Sequence, residues 1–235
     1  MKILAGIWNN FFYEPILWLL TILYNLSFQN LGLAIIMVTV LIRVALLPLI
    51  LPSLRSAKKM QDLQPQMANL KRRFAHDRKK HTQEQLRLYK QHGINPAAGC
   101  LPNLVQILFL IALYQVFFST LSSGFNKEFL IWDLTKKDST LILPILAGIS
   151  QLILSKMMLP KNRTPVKGQG GMEEAVYSMQ SQMLYLFPIM TVVIGWQFPS
   201  GLVLYWAVTT IFSIIQQYGV TGVGGLESWL RVVKK

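Results

Sequence analysis

One arginine stands alone inside an apolar run. Arg43 lies between Leu31 and Leu54, twelve residues before the next cation, Arg55. Along a straight helix that is about 18 Å, at about 1.5 Å per residue, more than the side chain recovers by snorkelling to an interface. A guanidinium at such depth costs roughly 2.5–3.5 kcal/mol on insertion scales, and a carboxylate would ordinarily offset it. The ten acids are Glu14, Asp62, Asp77, Glu84, Glu128, Asp133, Asp138, Glu173, Glu174 and Glu227, and none falls within a predicted span. The chemistry implied is attraction of anionic groups from a hydrated cavity open to one side, or else bonds from Arg43 to backbone carbonyls in a packed bundle. Thr39 shares the face of Arg43 at i, i+4. The other intramembrane polar residues, Gln106, Gln115, Gln151 and Gln182, are candidate walls, although for Gln115 and Gln151 helix–helix hydrogen bonding is the better reading.

The remaining residue types exclude several machines. Proton-coupled transport uses intramembrane carboxylate or histidine relays, and none is legible. No Gly-x-x-x-x-Gly-Lys loop for a nucleotide is present, and no nucleophile–base pair. His76, His81 and His92 share one basic segment without a metal-ligand set. Cys100 is the only cysteine, so no disulfide forms within the chain. No metal, cofactor, small-molecule substrate or covalent catalysis is expected.

The elements around Arg43 read as membrane spans. Of 235 residues, 52% are hydrophobic and 14% charged, against about 25% charged in soluble domains, and the apolar residues come in long runs, not amphipathic stripes. The fold class is an all-α integral membrane protein with five transmembrane helices, an N-terminal interfacial amphipathic helix and a cytosolic helical hairpin. The N-terminal segment is 1–30, in which Glu14-Pro15 marks a helix start and Pro15–Phe28 is short for a span. The first span is 31–54. A basic hairpin covers 55–92: Met60, Leu63, Met67, Leu70 and Phe74 form one helical seam, Pro65 kinks or starts a helix, and Thr82–Gln91 is a second helix. The second span is 98–122, followed by an outer loop at 123–139 and the third span at 140–159. A loop at 160–179 leads to spans at 180–198 and 202–218, and a short basic tail closes 219–235. No cleavable signal peptide is recognisable, so the first span is expected to act as the targeting signal.

Charge orients the chain. The hairpin holds Arg55, Lys58, Lys59, Lys71, Arg72, Arg73, Arg78, Lys79, Lys80, Arg87 and Lys90; Lys161, Arg163 and Lys167 follow span three, and Arg231, Lys234 and Lys235 lie in the tail. Five spans put all three groups on one side, which is therefore cytosolic, with the N-terminus outside. In the outer loop Lys127, Lys136 and Lys137 are balanced by Glu128, Asp133 and Asp138.

Three groups of residues carry a resemblance. Asn95-Pro96, Gly99-Cys100-Leu101-Pro102, Gln106 and Ile111-Ala112-Leu113-Tyr114 form the first. Phe198-Pro199-Ser200-Gly201-Leu202-Val203-Leu204-Tyr205-Trp206 with Ile215-Gln216-Gln217 form the second, and Thr39, Arg43 and Pro48 the third. In this order and spacing the chain resembles the YidC/Oxa1/Alb3 insertases from about Tyr13 to Gln217. The resemblance implies a bacterial plasma-membrane protein whose groove opens to cytosol and lipid. It also implies an energy-independent insertase that acts as a monomer on nascent membrane proteins, with the ribosome, the Sec translocon and anionic lipids as partners. The groove residues it implies are Arg43, Thr39, Gln106, Gln182 and Trp206, with Thr39 and Trp206 on an apolar slide. The hairpin contacts it implies are Lys58, Lys59, Lys71, Arg72, Arg73, Arg78, Lys79 and Lys80. Departures are the lack of a large extracytoplasmic domain and of a lipoprotein cysteine, a short tail, and Leu108 where many relatives have proline. An anion channel built on Arg43 and a scaffold that only holds ribosomes are the rival functions.

Overall fold

The computed structural model describes residues 6–74, 77–94, 101–120, 124–159 and 172–227. Asn95-Pro96, Gly99-Cys100, His76, the basic loop after span three and the basic tail lie outside these residues. So do the side chains of Lys71, Arg72 and Arg78. Nine α-helices are found among the described residues: α1 Glu14–Leu26, α2 Leu31–Ala45, α3 Leu47–Asp62, α4 Gln64–Arg73, α5 Arg78–Gln91, α6 Leu101–Thr120, α7 Ile142–Met157, α8 Met172–Gly195 and α9 Ser200–Thr221. The protein is thus mostly helical. No single described helix is both long and apolar enough to cross a membrane by itself. The pair α2 and α3 is so together, but it is bent by 67° at Leu46.

That bend changes the first span. The sequence reads 31–54 as one crossing because its apolar run is unbroken. Instead the chain turns at Leu46, two residues before Pro48, whose missing N–H and ring disfavour a continued straight helix. Arg55 is therefore about 10 Å beyond Arg43 along the α2 axis, not about 18 Å. Arg43 lies nearer the hairpin end of the bundle than a straight helix would put it.

The N-terminal helix also differs from its expected start. Helical backbone already runs through Gly6–Trp8, and a π-helical turn spans Asn9–Tyr13 just before Glu14-Pro15. Proline cannot donate to the carbonyl four residues back and its ring crowds that carbonyl; a π turn widens the backbone there. Ile16, Leu20, Leu23 and Tyr24 form the buried face of α1, which packs along α2 and touches α6. The Trp8 indole donates to Gln115 Oε1 at 2.6 Å, and Gln151 Nε2 donates to Ser155 Oγ. Gln115 thus bonds between segments, as expected, whereas Gln151 bonds one turn along its own helix; neither lines the space beside Arg43.

The bundle is centred on α9, which packs on α7 and α2, while α8 packs chiefly on α7. Close approach requires small residues at two points. A side chain at Gly148 would strike Val192 of α8, and one at Gly201 would meet the Phe117 ring at 2.5 Å. Such packing holds the helices through close van der Waals contact. In the hairpin, Leu63 separates α3 from α4, and Pro65 stands at the start of α4. The seam proposed from spacing thus bends where the proline predicts.

The loop between α6 and α7, expected from the sequence to lie outside, is built, not loose. Glu128–Phe129 and Trp132–Asp133 form a small antiparallel hairpin, β1 and β2. Phe129 covers Gly32 at the start of α2, and Asn126 N donates to Tyr24 Oη at 2.7 Å. Asp138, 1% exposed, accepts from Thr140 N at 2.8 Å, from the Thr140 hydroxyl, and from Leu143 N at 2.8 Å in the first turn of α7. Burial alone would push its carboxyl up. The bonds from Thr140 and Leu143 outweigh that and hold it below its ordinary value.

Candidate functional site

Arg43 is buried, 7% exposed. Its Nη2 donates to Gln106 Oε1 at 2.9 Å. Among the described residues no carboxylate forms an ion pair with it. The partner is a neutral amide on a different helix, neither backbone carbonyl nor acid. Thr39 is one turn away on α2, as the i, i+4 spacing requires, and donates its own hydroxyl to Ile35 O at 2.6 Å. Around the guanidinium lie Thr39, Ile42, Leu46 and Ile50 from the bent pair, Gln106 and Phe109 from α6, and Tyr205 and Thr209 from α9.

The enclosed space there is about 10 Å³, room for about one water molecule. Gln106 Oε1 takes one edge of the guanidinium beside this space. Leu46 and Ile50, brought in by the 67° bend, close one wall.

Two residues here were missed by sequence reasoning. Tyr205 and Thr209 are i, i+4 on α9, so they present one polar edge to Arg43. That spacing is legible in the last apolar run, but Trp206, one position on, drew the attention instead. Trp206 is half-buried and belongs to a neighbouring apolar recess of about 200 Å³. With it are Leu110, Ile111 and Tyr114 of α6 and Phe198, Leu202 and Val203 around the start of α9. Helices α6 and α9 thus each show two faces. Gln106 with Phe109, and Tyr205 with Thr209, face the arginine; Leu110 with Tyr114, and Leu202 with Trp206, face the recess. Gln182, at the middle of α8, is exposed and does not line either space. The structure brings together Arg43, Thr39 and Gln106 and sets Trp206 beside them.

On the same side of the bundle as the hairpin, Lys58 Nζ donates to Val220 O at 3.0 Å, near the end of α9. Gln61 Nε2 donates to Met158 O at 2.6 Å, just past α7. Lys59 Nζ reaches His92 O. Lys58, Lys59, Arg73, Lys79 and Lys80 are all exposed.

A bundle of apolar helices, with one arginine held between them by an amide and an apolar recess alongside, defines a helical protein of membrane-protein composition with an internal polar site. Comparison with known proteins narrows this class. A family model described as 60Kd inner membrane protein matches residues 22–223, and the chain belongs to that family. It is 35% identical over 221 residues to "Membrane protein insertase YidC 1" of Halalkalibacterium halodurans, covering 92% of this chain and 80% of that one. To "Membrane protein insertase MisCA" of Bacillus subtilis it is 38% identical over 219 residues, 92% and 79% of the two chains. The match to "Membrane protein insertase YidC" of Haemophilus influenzae, 39% identical, covers 89% of this chain but 36% of the relative. Among solved structures, "Active YidC insertase crystal structure with the first transmembrane domain resolved" is similar, with a TM-score of 0.62 and 27% identity over 88% of this chain and 45% of that one.

Proposed function

We propose that the protein is a membrane protein insertase that moves the short soluble flank of a client past Arg43 and releases its apolar segment into lipid. The observation that carries this is the buried, carboxylate-free guanidinium, hydrogen-bonded to Gln106. A neutral amide satisfies one edge of the charge without neutralising it, so the site keeps its attraction for an acidic flank. The family membership and the relatives' printed names support the same activity.

In this reading five spans cross the membrane, with the hairpin and C-terminus cytosolic and the N-terminus outside. The segment before α2 lies at the interface. The short helices thin the local bilayer; α7, at 16 residues, is about 24 Å long. Thr39, Gln106, Tyr205 and Thr209 form the polar wall. Trp206 and its recess offer the apolar slide. Entry requires a large swing of α3 about Leu46, which withdraws Ile50 from the wall beside Arg43 and admits water and client. Net free energy comes from transfer of the client's apolar segment into lipid. The insertase itself needs no nucleotide or covalent step. Lys58, Lys59, Lys71, Arg72, Arg73, Arg78, Lys79 and Lys80 meet anionic lipid or the ribosome, and larger clients are handled with the Sec translocon.

The test is insertion of a single-spanning client with an acidic outer flank into liposomes holding purified protein. Wild type inserts; Arg43→Ala loses at least about tenfold in rate, a barrier change of about 1.4 kcal/mol; Arg43→Lys retains most of it. Equal insertion by all three would sink the charge-attraction step. Failure of wild type with ribosome binding retained would favour a scaffold.

A further inference from the structure

The tip of the outer β-hairpin carries residues that a turn surrounded by water would not. The pairing of Phe129 with Trp132 leaves Leu130 and Ile131 as a two-residue turn. Leu130 has a φ of 53°, the left-handed region that such turns usually fill with glycine, asparagine or aspartate. Both side chains point away from the protein, 80% and 66% exposed, whereas Phe129 and Leu134 on either side are buried. Glycine or asparagine at the turn would relieve the backbone without losing much packing. Two branched aliphatic side chains held there, on an otherwise well-packed loop, call for an apolar medium outside the protein.

We propose that the Leu130–Ile131 tip is an anchor that inserts into the boundary between headgroups and acyl chains of the outer leaflet. The inference rests on the reading of the bundle as membrane-spanning. The hairpin sits on the N-terminal ends of three helices. Phe129 covers Gly32 of α2, the Lys136 and Leu134 carbonyls accept from Ser200 N and Gly201 N of α9, and Asp138 accepts from Leu143 N of α7. If those helices span, the hairpin lies where the bundle leaves the hydrocarbon. Trp132, a residue type enriched at that level, is half-buried behind the tip, and the cations Lys127, Lys136 and Lys137 flank it. Of the loop's acids, Asp133 is engaged by Thr135 and Lys136 and Asp138 by Thr140 and Leu143, while Glu128 is exposed. Two side chains are too small a face for a stable protein partner, which needs on the order of 800 Å² on each side. Shallow insertion into lipid needs no more than such a tip.

The test uses the full chain with Cys100→Ser, labelled with an environment-sensitive fluorophore at Ile131→Cys and, in a separate variant, at Leu130→Cys. Both are placed in vesicles of phosphatidylethanolamine and phosphatidylglycerol. A third label at Ile189→Cys, on the exposed face of α8, reports embedding of the bundle. Nitroxide lipids labelled near the headgroup should quench the tip labels several-fold more than lipids labelled mid-chain, and iodide on both sides should quench them little. The Ile189 label should respond to the mid-chain lipids. Tip labels open to iodide while Ile189 is quenched by lipid would overturn the anchor and leave the spanning reading standing. All three labels open to iodide would overturn both. Tip labels shielded in native membranes but open in lipid-only vesicles would assign the surface to a protein and overturn the lipid assignment.

Discussion

The two ends of the bundle are held in different ways. At the outer end, short groups and backbone make the contacts. Ser200 donates through both its amide and its hydroxyl to Lys136 O, each at 2.7 Å, Gly201 N donates to Leu134 O, and the Asp138 carboxylate gathers Thr140 and Leu143. At the hairpin end, the tips of two long side chains do so through exposed bonds, Lys58 to Val220 O and Gln61 to Met158 O. Short, buried groups lose little rotamer freedom when fixed; lysine and glutamine lose much. One end is therefore a durable clasp and the other a contact that can be made and released at small cost.

Changes at the two ends should separate sharply. Gly201→Leu should have the largest effect. Its side chain enters the space of Phe117, which is 1% exposed, and overpacking there should cost about 3 kcal/mol, read as a lower thermal midpoint in detergent. Asp138→Ala should follow, at about 2 kcal/mol, because the Leu143 and Thr140 amides are left without an acceptor. This clasp is also pH-dependent with a definite sign. The folded carboxyl titrates below its ordinary value of about 3.9, so its stabilisation is complete above that value and is lost as pH falls through the lowered one. The gap in thermal midpoint between wild type and Asp138→Asn should close on acidification below about pH 4. Lys58→Ala combined with Gln61→Ala should cost less than about 1 kcal/mol and leave the midpoint nearly unchanged. It should nonetheless raise the mobility of a spin label on α3. A midpoint drop as large as that of Asp138→Ala would erase the distinction between the ends.

Much of the site was legible because helix spacing is a strong constraint. Thr39 and Arg43 fall on one face by arithmetic, and Pro65 starts the second hairpin-side helix as its chemistry dictates. The family resemblance brought Gln106 to the same place. The bend at Leu46 was only half legible: Pro48 and Pro52 mark the far end of this stretch as a place where a kink is tolerated, but apolarity says nothing about the direction of the axis, so the size of the turn was missed. That one omission displaced the depth of Arg43 by about half. The outer hairpin was hidden for another reason. Its turn is Leu130-Ile131, with none of the glycine or asparagine that marks such turns, so the segment looked like plain loop. Tyr205 lies within the Phe198–Trp206 motif and Thr209 just beyond it, and their i, i+4 spacing was the available signal.

The elbow at Leu46 also sets a gearing. Helix α3, at 16 residues, is an arm about 24 Å long. A swing of about 10° carries its far end, with Gln61, through about 4 Å, yet moves Ile50, one turn from the pivot, by only about 1 Å. The long contacts to Val220 and Met158 therefore break well before the wall beside Arg43 parts. In the proposed insertase this gives the hairpin a range of free travel in which the site stays shut, and only a larger stroke reaches the arginine.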